Sequence, residues 1–301
     1  MFKSLKNFLE MIRFSHTLFA LPFAMLAAVM AWTTPAPAGI SAGFRWLHLL
    51  GLLVCMVGAR SAAMAFNRLA DRRLDAQNPR TCGRHLPAGI LSASQVAVFT
   101  VISSIIFVAG TLCFLPNWLP VLCSLPVLAF LFGYSYAKRF TSLAHFWLGA
   151  ALMLAPLCAW VALRGEVLLR QPSDGLPALV LALAVLLWVS GFDIIYACQD
   201  VDFDVRTGLR SVPVLLGLQG ALWYAAACHA GMVVILGALP ALAPGLGWIF
   251  TAALVAVALL LLYEHSLVTP DDLTRVNRAF FHVNAIVSSG LFVAGTIDLL
   301  S

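Results

Sequence analysis

Two short stretches of the 301-residue chain carry acidic residues at a spacing suited to metal chemistry. NRLADRRLD sets Asn67, Asp71 and Asp75 four residues apart, and YACQDVDFD sets Tyr196, Asp200 and Asp204 at the same interval. Residues four apart share one face of an α-helix, about 6 Å from each other along the axis. Like charges stacked this way repel by a few tenths of a kcal/mol per pair in water and more near lipid. A purely structural helix would carry Glu–Lys pairs instead. Repeated Asp–Asp spacing makes sense when a cation sits between the carboxylates. Mg2+ is the natural candidate: it takes hard oxygen ligands and is commonly held by one or two carboxylates plus substrate phosphate.

The two stretches share more than their acids. Each is followed by R-T-x-x-R-x-x-P, as Arg80, Thr81, Arg84 and Pro87 in the first and Arg206, Thr207, Arg210 and Pro213 in the second. The step from the last Asp to this element is five residues in one copy and two in the other. Four apolar spans separate the copies, so both emerge on one membrane face. One composite site binding a phosphorylated substrate is the expectation. If the preceding helix runs on through the second stretch, Asp193 joins Tyr196, Asp200 and Asp204 on one ridge, while Asp202 points away into solvent. Arg72 lies beside the first ridge, and GYSYAKRFTS supplies Lys138 and Arg139. Guanidinium forks match phosphate oxygens well. Arg13 is a further cation for an anionic acceptor or the phosphate. For Lys138, Arg139 and Arg13, ordinary anchoring at a membrane surface stays open. Asp271, Asp272, Arg275 and Arg278 read as a solvated turn.

The elements that must position these groups are membrane helices. The chain is 62% hydrophobic and only 10% charged, against about 25% charged in soluble domains. A helix needs about 20 mostly apolar residues to cross a bilayer. Nine runs qualify, at about 14–33, 44–66, 93–114, 117–136, 142–163, 177–197, 219–240, 246–264 and 277–299. The expected fold is an all-α polytopic bundle in one membrane domain over 1–301. Transmembrane β-strands would be shorter and alternating. The N-terminus imitates a secretory signal, but its apolar run exceeds a signal core, so it reads as the first retained helix.

The net charge of +5 does not imply a nucleic-acid partner, because distribution explains it. With the N-terminus cytoplasmic, all of the 18 Lys and Arg except Arg45, Arg60, Arg164 and Arg170 fall on the cytoplasmic side. This is the positive-inside asymmetry, and it leaves the C-terminus outside. The seven cysteines form no CxxC pair and read as small apolar fillers. The seven histidines show no HxxxH, so the sequence gives no support for zinc.

At these motifs the chain resembles the UbiA superfamily of intramembrane aromatic prenyltransferases, nearly from end to end. The family carries N-x3-D-x3-D after its second helix and D-x3-D, often preceded by Y-A-x-x, after its sixth; NRLADRRLD and YACQDVDFD stand in those places, with the YxxxKR element at Tyr134–Arg139. The resemblance implies a bundle whose central cavity opens to the cytoplasmic face of a bacterial inner membrane. It implies transfer of a polyprenyl chain from its diphosphate to an aromatic ring. By that carry-over Asn67, Asp71, Asp75, Asp200 and Asp204 hold Mg2+ and diphosphate. Lys138 and Arg139 contact the diphosphate, supported by Arg72 and Tyr196. Asp193 polarises the acceptor's phenol or is structural.

NRLADRRLDAQNPRTCGRHLPAGILS and GFDIIYACQD are most similar to bacterial 4-hydroxybenzoate polyprenyltransferases; relatives of these act on a dihydroxynaphthoate in menaquinone synthesis. Either acceptor is an aromatic carboxylic acid with a phenolic oxygen, which suits Arg13. Where many members have Asn-Asp, this chain has Asn67-Arg68, and Arg68 lies off the metal ridge. Haem farnesylation is a rival within the family. A cation-coupled transporter is a rival outside it, although aspartates clustered at one face among arginines fit poorly with midplane transport sites. The Asp-rich run of CDP-alcohol phosphotransferases is absent.

Overall fold

Within a bilayer, backbone N–H and C=O groups find no water, and a helix satisfies them internally. Apolar runs of this length therefore fold as helices before any packing is considered. The computed structural model describes residues 2–12, 19–40, 43–270, 272–273 and 276–301, without the side chains of 2–5 and 277–282. Its α-helices are α1 (Phe2–Met11), α2 (Leu21–Thr33), α3 (Trp46–Gln77), α4 (Ala93–Thr111), α5 (Leu119–Gly133), α6 (Ala144–Arg170), α7 (Leu176–Ala197), α8 (Val201–Thr207), α9 (Val212–Gly237), α10 (Leu239–Leu242), α11 (Trp248–Ser266) and α12 (Val276–Leu300). No β-strand occurs among the described residues. Eight described helical stretches are long and apolar enough to cross a membrane, and α2 is a shorter apolar helix of 13 residues. The chain is an integral membrane protein of the all-α class. Arg13 lies outside the described residues, as do Asp271 and Arg275.

The chain divides into two compact units: Met1–Thr17 with Arg45–Tyr136, and Leu18–Phe44 with Ala137–Ser301. In the first unit, α3 packs along α4. Ala62, Phe107 and Leu128 form one buried cluster there. Met11 and Ile12 pack with Ala65, Leu91 and Val96 in another, and Phe8 stacks on Phe99. α1 is a separate amphipathic helix where residue types alone predict only a charged flank ahead of the first apolar run. α4 begins with a full capping box between Ser92 and Gln95, which satisfies two orphan N–H groups. Its Val98, Val101 and Ile105 are more than half exposed, as expected of a face that meets lipid. Trp46 and Trp118 stand at the starts of α3 and α5 and are exposed, the usual place for interfacial aromatics.

In the second unit, α7 is packed between α6 and α9 and is the most enclosed of the eight helical stretches long enough to cross a membrane. Trp160 and Trp188 are fully buried. One charge sits deep in this unit with full compensation. Arg164 donates to Ala31 O, Thr34 O and Pro35 O, so it caps the end of α2, and it pairs with Asp174 at 2.6 Å. The backbone of α6 leaves helical geometry at Arg164 itself. Removing one partner of such a buried pair would leave an uncompensated charge. At the start of α11, Asp298 accepts from Gly247 N and Phe250 N at 2.8 and 2.7 Å, an anion at a helix N-terminus.

Candidate active site

The first acidic stretch is the last part of α3, which runs unbroken through Asn67, Asp71 and Asp75 to Gln77. The expected single ridge is present. The Asn67 amide donates to Asp71 Oδ2 at 2.8 Å, and Arg68 Nη1 donates to Asn67 Oδ1 at 3.2 Å. Arg68 is off the ridge by position, as expected, yet it orients the Asn67 amide and through it Asp71. The amide oxygen keeps a second lone pair for another partner. Asp75 is buried; its Oδ1 accepts from Arg84 at 2.7 Å, while its Oδ2 is buried with no hydrogen-bond partner. Arg72 is exposed and bonds Leu69 O.

The chain beyond α3 is built to bring Arg84 back. Asn78 before Pro79 ends the helix, since a residue preceding proline disfavours helical backbone. Asn78 Oδ1 accepts from Arg80 N, and Asn78 O accepts from Thr81 N and Cys82 N. Thr81 Oγ1 then donates to Asp75 O at 3.0 Å.

The second stretch departs from the expected continuous helix. α7 ends at Ala197, a 3-10 turn covers Cys198–Asp200, and α8 restarts at Val201. A 3-10 turn rotates the chain by about 20° more per residue than an α-helix. Asp193 therefore does not share one regular ridge with Asp200 and Asp204. Asp200 and Asp204 are buried, Tyr196 is half-buried, and Asp202 is exposed as expected. Asp204 Oδ2 lies 3.4 Å from Lys138 Nζ. α8 closes with Gly208 in the left-handed region (φ 69°), where Leu209 N bonds Asp204 O and Gly208 N bonds Val205 O. Glycine takes this conformation without the Cβ clash that other residues suffer.

Tyr134–Arg139 is a 3-10 helix carrying both basic residues at its end. Lys138 is about one-third exposed and Arg139 is exposed. Arg210 braces this segment: its N–H donates to Lys138 O at 2.7 Å and its Nη1 to Phe140 O at 2.8 Å. Arg210 was read only as part of the repeat, and its brace onto the Lys138 segment was missed. So was His145, whose Nδ1 lies 2.7 Å from Asp193 Oδ2. The signal for His145 was a lone ionisable side chain at the start of an apolar run, a functional pointer inside membranes.

The donor set is hard oxygen throughout, and Asp75 Oδ2 is buried without a hydrogen-bond partner although Arg84 holds the other oxygen of the same carboxylate. These features fit Mg2+ better than a soft metal. Among the described residues no three carboxylates, imidazoles or thiols close a metal site by themselves. An ion here needs water or substrate oxygens as well.

Comparison with known proteins gives the same direction. The UbiA prenyltransferase family matches residues 20–286. A 4-hydroxybenzoate octaprenyltransferase of Xanthomonas oryzae pv. oryzae (strain PXO99A) is 35% identical over 247 residues, 78% of this chain and 76% of that protein. One from Saccharophagus degradans is 29% identical over 253 residues, 82% of this chain and 80% of the relative. The apo structure of a UbiA homolog from Aeropyrum pernix K1 superposes with a TM-score of 0.79 at 34% identity, covering 94% of this chain and 97% of that one. A UbiA homolog from Archaeoglobus fulgidus bound to DMAPP and Mg2+ shares the fold, with a TM-score of 0.72 at 17% identity over 98% of this chain and 99% of its own. A continuous N-x3-D-x3-D ridge, a second aspartate pair beside Lys138 and a membrane-helix fold thus coincide with the sequence match, and the chain belongs to the UbiA prenyltransferase family.

Proposed function

We propose that this enzyme transfers a polyprenyl group from an allylic polyprenyl diphosphate to 4-hydroxybenzoate, releasing diphosphate, as a step in quinone synthesis. The observation that carries the reading is the Asn67–Asp71–Asp75 ridge with one carboxylate oxygen of Asp75 buried and partnerless. The acceptor is suggested by the relatives named as 4-hydroxybenzoate octaprenyltransferases. Asn67, Asp71, Asp75, Asp200 and Asp204 would hold Mg2+. When bound, that ion would neutralise charge developing on the leaving diphosphate. Lys138 and Arg139 would bind the diphosphate, with Arg72 and Tyr196 in support, and such cations count for more where water is excluded. The apolar surroundings keep water from the reactive allylic carbon. Asp193 would accept a hydrogen bond from the acceptor's hydroxyl, and Arg13 would bind its carboxylate.

The proposed setting is the bacterial inner membrane, with the N-terminus and both aspartate stretches cytoplasmic and the C-terminus external, from the distribution of Lys and Arg. Purified protein in lipid with Mg2+ and a long-chain allylic diphosphate tests the chemistry, with 4-hydroxybenzoate and a dihydroxynaphthoate offered separately. Prenylated hydroxybenzoate by mass, with diphosphate released, is the expected result. Product from the naphthoate alone would reassign the acceptor and keep the chemistry. Product from neither acceptor would overturn the reading.

A further inference from the structure

Three helices of the second unit meet at one imidazole. His145 lies in the first turn of α6, and its side chain is wholly buried. Its Nε2 accepts from Val212 N, the first residue of α9, at 3.3 Å. A ring nitrogen that accepts carries no proton, so the ring is neutral and its hydrogen is on Nδ1. That hydrogen is donated to Asp193 Oδ2 in α7 at 2.7 Å. The backbone of α9 thus sets the tautomer, and the tautomer makes Asp193 an acceptor.

The surrounding packing keeps this register. Ser190 Oγ donates to His145 O at 3.3 Å, one link between α6 and α7. A Cβ on Gly149, one turn after His145, would come within 2.5 Å of Leu186 O and 2.6 Å of Ser190 Oγ. Only glycine permits this closeness of α6 and α7, and the closeness brings His145 within reach of Asp193. Asp193 itself is 18% exposed. Its Oδ1 makes no hydrogen bond among the described residues. Capping the Val212 N–H needs no carboxylate, and setting a carboxylate in an apolar bundle costs more than one neutral hydrogen bond returns. A structural purpose alone is a poor reason for this pair.

We propose that His145 is a positioning residue for the transfer, holding Asp193 by Oδ2 so that Oδ1 is left for the hydroxyl of the aromatic acceptor. This inference rests on the prenyl-transfer reading. In the step, a ring electron pair forms the bond from the carbon beside the hydroxyl to C1 of the prenyl chain. The C1–O bond breaks, and its pair leaves on diphosphate. The hydroxyl proton passes to Asp193 Oδ1. It returns to the oxygen as the substituted ring carbon loses its hydrogen to solvent, so Asp193 ends as it began.

The test measures kcat and the KM of each substrate for wild type, His145→Leu and His145→Asn, across hydroxybenzoates whose ring substituents vary the acidity of the phenol. An Asn side chain places an N–H near the position of Nδ1. His145→Leu is expected to lower kcat by about 10–100-fold, the range for lost orienting partners, with the KM for the diphosphate unchanged. His145→Asn is expected to restore most of kcat, and the defect of the Leu variant is expected to shrink for more acidic phenols. If the Leu variant does not fold, the Asn variant carries the test through the same acidity series. A Leu variant with wild-type kcat would overturn the inference while leaving prenyl transfer intact. So would a defect independent of phenol acidity, or one that raises the KM of the diphosphate and lowers thermal stability together, since that marks a structural brace. Wild type inactive on every acceptor would overturn the inference together with the reading beneath it.

Discussion

The stretches 67–87 and 196–213 follow one pattern of residue types and pair their charges differently. In the first, R-T lies beyond the end of α3, so Thr81 reaches back to Asp75 O and Arg84 returns to the Asp75 carboxylate. In the second, the shorter step leaves Arg206 and Thr207 inside α8. Thr207 Oγ1 bonds Phe203 O one turn earlier, and Arg206 bonds Asp202 O. Arg210 then goes to Phe140 O, and Asp204 takes its cation from Lys138. Three residues of spacer thus decide whether a motif neutralises itself or recruits a distant lysine. Arg84 holds the Asp75 carboxylate at 2.7 Å, whereas Lys138 stands 3.4 Å from Asp204 with about a third of its side chain exposed.

That contrast can be broken in several ways. Chelating divalent cations is expected to abolish transfer, with recovery on adding Mg2+; full activity in chelator would remove the reason for both acidic stretches. Lys138→Ala is expected to lower kcat by about 100-fold, the scale for one electrostatic donor at a reacting centre. Its stability should change by less than about 1 kcal/mol, because Lys138 Nζ stands 3.4 Å from Asp204 and the lysine side chain is about one-third exposed. Arg84→Ala should show the reverse weighting. It removes the close 2.7 Å partner of the Asp75 carboxylate and is expected to cost about 2–3 kcal/mol, short of the value for a fully buried pair, read by denaturation in mild detergent. Arg210→Ala is expected to lower kcat by about tenfold by loosening the turn that presents Lys138, an orienting effect. Arg206→Ala, at an exposed site, should alter stability by less than about 0.5 kcal/mol. Equal behaviour of the Arg84 and Lys138 variants would dissolve the distinction between the two regions.

Much of this was legible from residue types. The α3 ridge follows from four-residue spacing on a helix that nothing interrupts before Asn78-Pro79, and Lys138, singled out as a cation beside the acidic stretches, lies 3.4 Å from Asp204. The break after Ala197 was not legible, because YACQDVDFD holds neither glycine nor proline to announce it. His145 and Asp193 are 48 residues apart in sequence, and no local period connects them. Arg164 was counted only as a cation off the cytoplasmic side. Its partners are mostly main-chain carbonyls of Ala31, Thr34 and Pro35, which leave no trace in side-chain types.

The most direct test of the central claim, that both aspartate stretches serve one prenyl transfer, compares Asp75→Asn, Asp204→Asn and the double variant for formation of prenylated 4-hydroxybenzoate. Each single change is expected to lower kcat by about 100–1,000-fold. The double variant should fall little further, as for residues that act as a unit. Either single variant retaining wild-type turnover, with its fold intact, would contradict the claim.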